Sequence, residues 1–196
     1  DAIIASNATQ ACTITLGAGT VLRNYGGMSA VRVTNQAVLK MEAGSAMEDT
    51  MVADRTKGSA EGEVGPAGAV WTQGGALLME AGAEIRNMVG RAIYADGGNI
   101  TIGGKIHNIK GDADMWQGTK GVALHLRNGA VGSMSATGEI TDIKGSGNAV
   151  FATGEAVRFT MEHGSKIHNF ANLCGVYMEN SSQLYMEGEI SKLSKA

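Results

Sequence analysis

Short segments of alternating apolar and polar residues run along the whole chain, and they recur as copies of one motif. Most copies have an apolar pair spaced by one residue, a turn that contains glycine, a further apolar residue and, two positions later in six of the seven copies, Asn or Asp. The apolar residues after the turn are Leu22, Met47, Ile85, Ile106, Ile140, Ile167 and Ile190. Seven copies at irregular spacing indicate a repeat architecture in which the units stack.

A second motif, a small residue followed by an apolar one, stands ahead of most copies. Its apolar residues are Val31, Val70, Ile93, Leu124, Val150 and Val176. Each unit therefore holds three short segments with a period of two and none with a helical period. A strand of about four residues cannot bury its apolar face alone, so the units must stack.

Three strands per irregular unit predict an all-β fold, a right-handed parallel β-helix of about seven coils. A left-handed hexapeptide helix would need a strict period of six, and a leucine-rich repeat would need its leucine framework. We expect an N-terminal cap over residues 1–12 and the β-helix over residues 13–196. Loop insertions are expected near residues 50–68 and 110–121.

Equivalent residues of a β-helix form columns with a spacing of about 4.8 Å. The motif predicts an inward column that contains five of the 11 methionines, which are Met41, Met79, Met134, Met161 and Met186. We interpret these as core residues, because methionine fills narrow and irregular interiors. The Asn and Asp residues predict a corner ladder, formed by Asn24, Asp49, Asn87, Asn108, Asp142 and Asn169.

The outward residues of the first strand are the candidate ligand-binding site. If Ile93 and its equivalents point inward, the next residues point outward. These are Arg32, Trp71, Tyr94, His125, Phe151 and Tyr177, and the next outward column includes Gln73, Asp96 and Arg127. An exposed row of rings beside hydrogen-bonding groups can hold sugar rings or a peptide. Alternatively, the rings stabilise the sheet or are covered by loops or a partner.

The insertions add a candidate to this site. Long loops on one face of a solenoid commonly form its binding face. The second insertion carries Trp116, and both insertions would border the aromatic column. Pro66 lies in the first insertion.

Two other columns contain residues of the types that bind metals, but neither column favours a metal site. Glu42 and Glu80 lie on adjacent coils, as do Glu162 and Glu187, an arrangement that holds a cation less often than it forms a solvated face. His107 and His168 are two coils apart, too far to share a metal. We predict no metal site and no cofactor.

The composition disfavours several classes of protein. The 196 residues include 29 Gly and one Pro, without the glycine period of collagen. A hydrophobic content of 43% with a net charge of −3 disfavours disorder and gives no basic surface for nucleic acid. No apolar run is long enough for a membrane-spanning helix. Cys12 and Cys174 fall near opposite ends of the stack, so we expect them to be unpaired.

The motif Gly-x-apolar-x-Met-x-x-Gly-x-Ile-x-Asn resembles the right-handed β-helix repeats, of pectin-lyase-like fold, in surface proteins and adhesins of Gram-positive bacteria. The resemblance covers the chain from about Ala11 onwards. It implies an extracellular, cell-wall-associated protein with further covalently linked domains that contacts host surfaces. Both chain ends also look as if cut from a longer protein.

The expected function is that of a non-enzymatic adhesin module that binds an extended glycan or a host or matrix protein. The same fold hosts polysaccharide lyases and hydrolases, so the runner-up is such an enzyme. Asp96 and Glu179 are three coils apart, about 14 Å, which is too far for an acid pair. Only Asp112 and Asp114 of the second insertion could bring acids to Asp96. A pure structural spacer is the third possibility.

Overall fold

A computed structural model describes residues 1–6, 12–52, 68–111, 121–144, 147–170 and 174–192. The described residues form three parallel seven-stranded sheets, which wind as a right-handed parallel β-helix of seven coils. The predicted fold is thus confirmed. The coils are stacked so that each sheet takes one strand from every coil.

The strands are short, mostly of three to six residues. The first sheet contains β1 (Ile3–Ala5), β5 (Val31–Thr34), β9 (Val70–Gln73), β12 (Arg91–Asp96), β15 (Val122–Arg127), β18 (Val150–Thr153) and β21 (Val176–Glu179). The second contains β2 (Thr13–Leu16), β6 (Val38–Met41), β10 (Ala76–Met79), β13 (Asn99–Ile102), β16 (Val131–Met134), β19 (Arg158–Met161) and β22 (Gln183–Met186). The third contains β3 (Val21–Arg23), β7 (Ala46–Glu48), β11 (Glu84–Arg86), β14 (Lys105–Lys110), β17 (Glu139–Lys144), β20 (Lys166–Phe170) and β23 (Glu189–Ser191). A two-residue pair, β4 (Gly26–Gly27) with β8 (Met51–Val52), extends one corner.

The register within each sheet aligns the repeat positions one above another. Ile93 pairs with Val70 and Leu124, and Ile106 pairs with Ile85 and Ile140. The inward columns are fully buried through the inner coils, including Met41, Met79, Met134 and Met161. The prediction of a methionine core is thus confirmed for four of the five residues, whereas Met186 on the last coil is 51% exposed.

The first coil begins earlier in the chain than the predicted boundary. β1 pairs with β5 over Ile3, Ile4 and Ala5, so residues within the predicted cap supply the first strand of the first sheet. Ala5 is buried in the main core.

The corner after the third sheet is turned by residues in the left-handed helical conformation. The six Asn and Asp residues of the predicted ladder have φ values between 52° and 56°. Asn and Asp tolerate this region better than other residues with a side chain. Asn108 Nδ2 donates to Asn87 Oδ1 at 2.6 Å, and the Asn169 amide donates to the Asp142 carboxylate. All six residues therefore share the predicted corner conformation, and side-chain hydrogen bonds join two adjacent pairs of the ladder.

Close packing between coils explains part of the glycine excess. Gly98 has a φ of 86°, and a Cβ there would lie 1.8 Å from the Gly75 carbonyl oxygen. A side chain at position 98 would therefore separate two coils. The central parts of both predicted insertions, with Pro66, Asp112, Asp114 and Trp116, lie outside the described residues.

Candidate functional site

The predicted aromatic column exists on the outer face of the first sheet. Trp71, Tyr94, His125, Phe151 and Tyr177 occupy paired positions on five consecutive coils. The His125 ring lies between two others, with its centroid 5.0 Å from that of Tyr94 and 4.9 Å from that of Phe151. Both contacts are edge-to-face, whereas Phe151 and Tyr177 stack with centroids 5.4 Å apart.

The prediction that this column is exposed was wrong for four of its five rings. Trp71, Tyr94, His125 and Phe151 are only 6%, 2%, 6% and 4% exposed, whereas Tyr177 is 41% exposed. The four rings lie outside the main hydrophobic core and form a second buried layer on the sheet. Contacts between neighbouring rings and with arginine side chains contribute to this burial, and such contact is more favourable for a large apolar ring than exposure to water.

We call the four buried rings, Trp71, Tyr94, His125 and Phe151, the outer aromatic layer. Arginine side chains pack against this layer. The Arg32 guanidinium carbon lies 3.9 Å from the centroid of the Trp71 ring, and that of Arg91 lies 5.0 Å from the centroid of Tyr94. Arg91 is fully buried. Such contacts contribute about 0.5–2 kcal/mol each. Sequence reasoning missed Arg91, because an arginine at the start of a strand gives no signal of burial.

His125 occupies the centre of the layer in an unusual state. Neither of its ring nitrogens has a hydrogen-bond partner within the described structure. Burial, assisted by the positive charges of Arg91 and Arg127, holds the pKa of His125 well below its ordinary value. His125 is therefore neutral at pH 7.

The second outward column of the first sheet forms an accessible polar strip, made up of Gln73, Asp96 and Arg127. Gln73 is exposed, and the other two are half-buried. Arg127 Nη1 donates to the Tyr94 hydroxyl at 3.1 Å, and Arg127 Nε lies 3.7 Å from Asp96 Oδ1. The Asn128 amide donates to the same Asp96 oxygen.

The same contacts link the strip to the rings and to neighbouring coils. Arg32 Nη2 donates to Gln73 Oε1 at 2.8 Å, from one coil to the next. Burial raises the pKa of Tyr94, while Arg127 opposes the rise. The strip is therefore held in place by Tyr94 of the adjacent column and by Arg32.

The third sheet carries a network of ion pairs that the sequence reasoning missed. One outward column alternates in charge from coil to coil as Glu84, Lys105, Glu139, Lys166 and Glu189. Lys105 Nζ lies 2.9 Å from Glu139 Oε1, and Arg86 pairs with Glu48 at 2.7 Å and with Glu84 at 2.5 Å. The signal was present in the aligned repeats, where charges of opposite sign occupy the same position of adjacent copies.

One of the two candidate cation pairs, Glu42 with Glu80, is bridged by a lysine, and His107 and His168 each lie beside a glutamate. Lys40 Nζ lies 3.1 Å from Glu42 Oε1 and 3.0 Å from Glu80 Oε1, and these hydrogen bonds raise the pKa of Lys40. His107 and His168 lie two coils apart, as predicted. In the described ranges, no group of three His, Cys, Asp or Glu side chains could hold a metal ion.

Three further observations complete the description. Cys12 and Cys174 are unpaired, as predicted, but both are exposed, whereas buried or half-buried positions were expected. Within the described part of the chain, no helix has the length and apolar character needed to cross a membrane. Comparison with protein-family models, with curated proteins and with solved structures finds no match to this chain.

Proposed function

We propose that this chain is a non-enzymatic module of a Gram-positive bacterial surface protein that binds an extended glycan or a host or matrix protein. In this proposal it is extracellular, associated with the cell wall and continuous with further domains. The resemblance of its repeat to adhesin repeats supports these assignments. The polar strip of the first sheet is the binding site.

One observation carries the choice of site. Gln73, Asp96 and Arg127 present hydrogen-bonding groups on three successive coils. Gln73 is held by Arg32, and Arg127 is held by Asp96 and by the Tyr94 hydroxyl. The Tyr177 ring lies two coils further along the same sheet and is the one accessible ring of the column. A polymer that runs along the β-helix axis would meet polar groups at intervals of about 4.8 Å and then an aromatic surface.

The buried rings take a supporting role in this proposal. Tyr94 holds Arg127 of the strip through its hydroxyl, the other buried rings pack beside the strip on the same sheet face, and Tyr177 alone provides ring contact. Trp116 lies outside the described residues, and its part in binding stays a prediction.

The site can be tested with glycan and matrix-protein arrays. Gln73→Ala with Tyr177→Ala removes two exposed contacts, and we expect at least about tenfold weaker binding to any ligand the unmodified chain retains. Lys166→Ala with Glu162→Ala, both exposed on other parts of the surface, is the matched control. Equal binding by both double variants would show that the strip is not the site.

The spacer function is the second candidate, because burial of four rings removes most of the predicted aromatic contact surface. A spacer retains no ligand on any array. For the enzyme alternative, Asp96 would have to act as a free acid or base, yet Asn128 and Arg127 both engage its carboxylate. Incubation with a polysaccharide panel, followed by assay for new reducing ends and unsaturated products, tests catalysis directly.

A further inference from the structure

The seventh coil leaves side chains of the core columns accessible at one end of the stack. Leu184 and Met186 take the inward positions of β22, in register with Phe159 and Met161 of the sixth coil. Phe159 and Met161 are fully buried, whereas Leu184 and Met186 are 42% and 51% exposed. Eight large apolar residues are exposed in the described part of the chain, and four of them lie on this coil, namely Tyr177, Leu184, Tyr185 and Met186. The exposed apolar surface is therefore concentrated at this end.

The same coil presents the edges of three strands. Among the residues that the structure describes, β21, β22 and β23 each pair with a strand of the sixth coil and with no strand on the other side. Such edges offer backbone N–H and C=O groups to a further strand. A single extended peptide would pair with one edge and leave the other two open. A partner that supplies a complete coil can pair with all three and cover the core columns as well.

The first coil has the complementary arrangement at the opposite end of the stack. β1, β2 and β3 are the outermost strands of the same three sheets. Their inward residues Ile3, Ile14 and Leu22 are only partly buried. Neighbouring strands are parallel at both ends of each sheet. The first coil of one copy can therefore lie on the seventh coil of another with the strand direction and spacing that join coils within the chain.

Continuing the register of the sheets from one copy to the next places apolar side chains opposite each other. The inward pairs that result are Leu184 over Ile14, Met186 over Leu16 and Ile190 over Leu22. On the outer face of the first sheet, Tyr177 would lie over Ile4, which is 60% exposed. Both end coils thus expose apolar groups that the contact would bury.

Charge favours this direction over contact between two seventh coils. The seventh coil, residues 174–192, carries three glutamates and one lysine, namely Glu179, Glu187, Glu189 and Lys192. Two such coils face to face would bring the glutamates together, and like charges on facing strands are destabilising. The first coil, residues 1–24, instead carries one acidic and one basic residue, Asp1 and Arg23. Arg23 has an exposed side chain on the third sheet, the sheet that also presents Glu189.

We propose that a second copy of this chain covers the seventh coil with its own first coil, so that the β-helix continues from one copy into the next. Each added copy again presents an uncovered seventh coil. The contact therefore does not close into a ring of fixed size by itself, and copies assemble into a linear filament. The inference goes beyond the proposed function, because it requires neither the polar strip nor a ligand.

Sedimentation velocity of the full chain over a wide range of concentration tests the assembly. We expect the weight-average mass to rise with concentration and to pass beyond that of a dimer. Leu184→Lys and Met186→Lys should each weaken association by about tenfold or more, because each places a charge where the contact buries an apolar group. Leu78→Lys is the matched control, since it makes the same change at a leucine of similar exposure on the outer face of the third coil. It should associate like the unmodified chain.

Mixing variants tests the direction of the contact. Leu184→Lys blocks the seventh coil and Ile14→Glu blocks the first coil, so each variant alone should associate weakly. An equal mixture should form a dimer that does not grow, because one intact seventh coil and one intact first coil remain. Ile4→Glu, at an exposed outward position, is a second way to block the first coil if Ile14→Glu does not fold. Circular dichroism and thermal unfolding establish which variants are folded.

Three results would overturn the proposal. The first is an unmodified chain that stays monomeric at all concentrations, which would leave the end coils to a different partner. The second is growth that stops at a dimer, or a first-coil variant that still dimerises alone, since either would mean that two like ends pair. The third is an equal loss of association in Leu78→Lys.

Discussion

At the scale of single residues, the left-handed conformation decides which side chains the corners accept. The corner after the third sheet uses Asn or Asp in six coils. The corner after the first sheet uses Gly or Asn in most coils, but Ala156 takes a φ of 59° in coil six. Alanine has neither the freedom of glycine nor a polar group to compensate for this conformation.

Ala156→Gly should therefore stabilise the protein, by up to about 1 kcal/mol. Removal of the left-handed backbone strain stabilises the folded state by more than the added conformational entropy of glycine stabilises the unfolded state. Urea unfolding followed by circular dichroism measures it. Ala136→Gly, in an exposed turn without positive φ, should instead lower stability by about 0.5–1 kcal/mol. A loss of stability in both variants would contradict the assignment of strain to Ala156.

The corner ladder makes a second prediction at this scale. Asn108 has a φ of 53°, donates to Asn87, and accepts from Lys144 Nζ at 3.2 Å. Asn108→Ala loses these hydrogen bonds and keeps the strain, so it should cost about 2 kcal/mol. Asn108→Gly loses the hydrogen bonds alone and should cost about 1 kcal/mol. Chemical unfolding compares the free energies of unfolding of the two variants. If Asn108→Ala is more stable than Asn108→Gly, backbone strain does not explain the preference of this corner.

At the scale of a single element, the third sheet shows how charge stabilises stacked strands. Burial raises the pKa of Glu84, but hydrogen bonds from Arg86 and His107 outweigh it, so the pKa lies below its ordinary value. The same balance holds for the pKa of Glu139, with Lys105 and His168 as donors. The folded chain therefore binds protons at these carboxylates less readily than the unfolded chain.

This difference predicts acid sensitivity of the sheet. A carboxylate whose pKa is lowered by folding stabilises the folded chain above about pH 4.5. This stabilisation is lost as the pH falls through the pKa that the carboxylate has in the folded chain. Glu139→Gln should reduce the slope of stability against pH below about 4.5. Urea midpoints from pH 3 to 6 provide the measurement. Glu162→Gln, at an exposed residue that forms no ion pair with any other residue the structure describes, should leave the slope unchanged.

The strands also show which features of the fold could be predicted from the sequence. The alternation and the glycine turns determined the strands, the register and the core columns, because a parallel stack repeats the same environment at the same position. Solvent exposure did not follow from alternation. Trp71 and Tyr94 point outward as predicted but are buried, since burial outside the core depends on packing between side chains of different coils. The polar residues Gln73 and Asp96 were placed correctly on the accessible surface.

At the scale of the molecule, the three outer faces have separate chemistry. The first sheet carries the outer aromatic layer and the polar strip, the second has no charged outward side chain on β10, β13 and β16, and the third carries paired charges. A repeat fold permits this division because each face is set by one position of the repeat and is independent of the shared core. Function can then differ between faces while the coils remain alike.

The outer aromatic layer links the state of the whole molecule to pH through His125. Its neutral ring lies between Tyr94 and Phe151, and the charged groups that act on it are Arg91 and Arg127. A proton on His125 would add a third positive charge to a buried site. Because its pKa is lower in the folded chain than in the unfolded chain, the unfolded chain binds more protons as the pH falls below about 6.5. Stability should therefore decline from that pH downwards.

His125→Phe should remove this decline between about pH 6.5 and the onset of carboxylate titration near pH 4.5. It should also raise stability at neutral pH, because it replaces two unpartnered ring nitrogens with apolar atoms. Thermal unfolding at half-unit pH steps compares the variant with the unmodified chain. His163→Phe, at an exposed position, is the control and should keep the original slope. If the His125 variant keeps that slope as well, the acid sensitivity arises elsewhere and the layer does not respond to pH through His125.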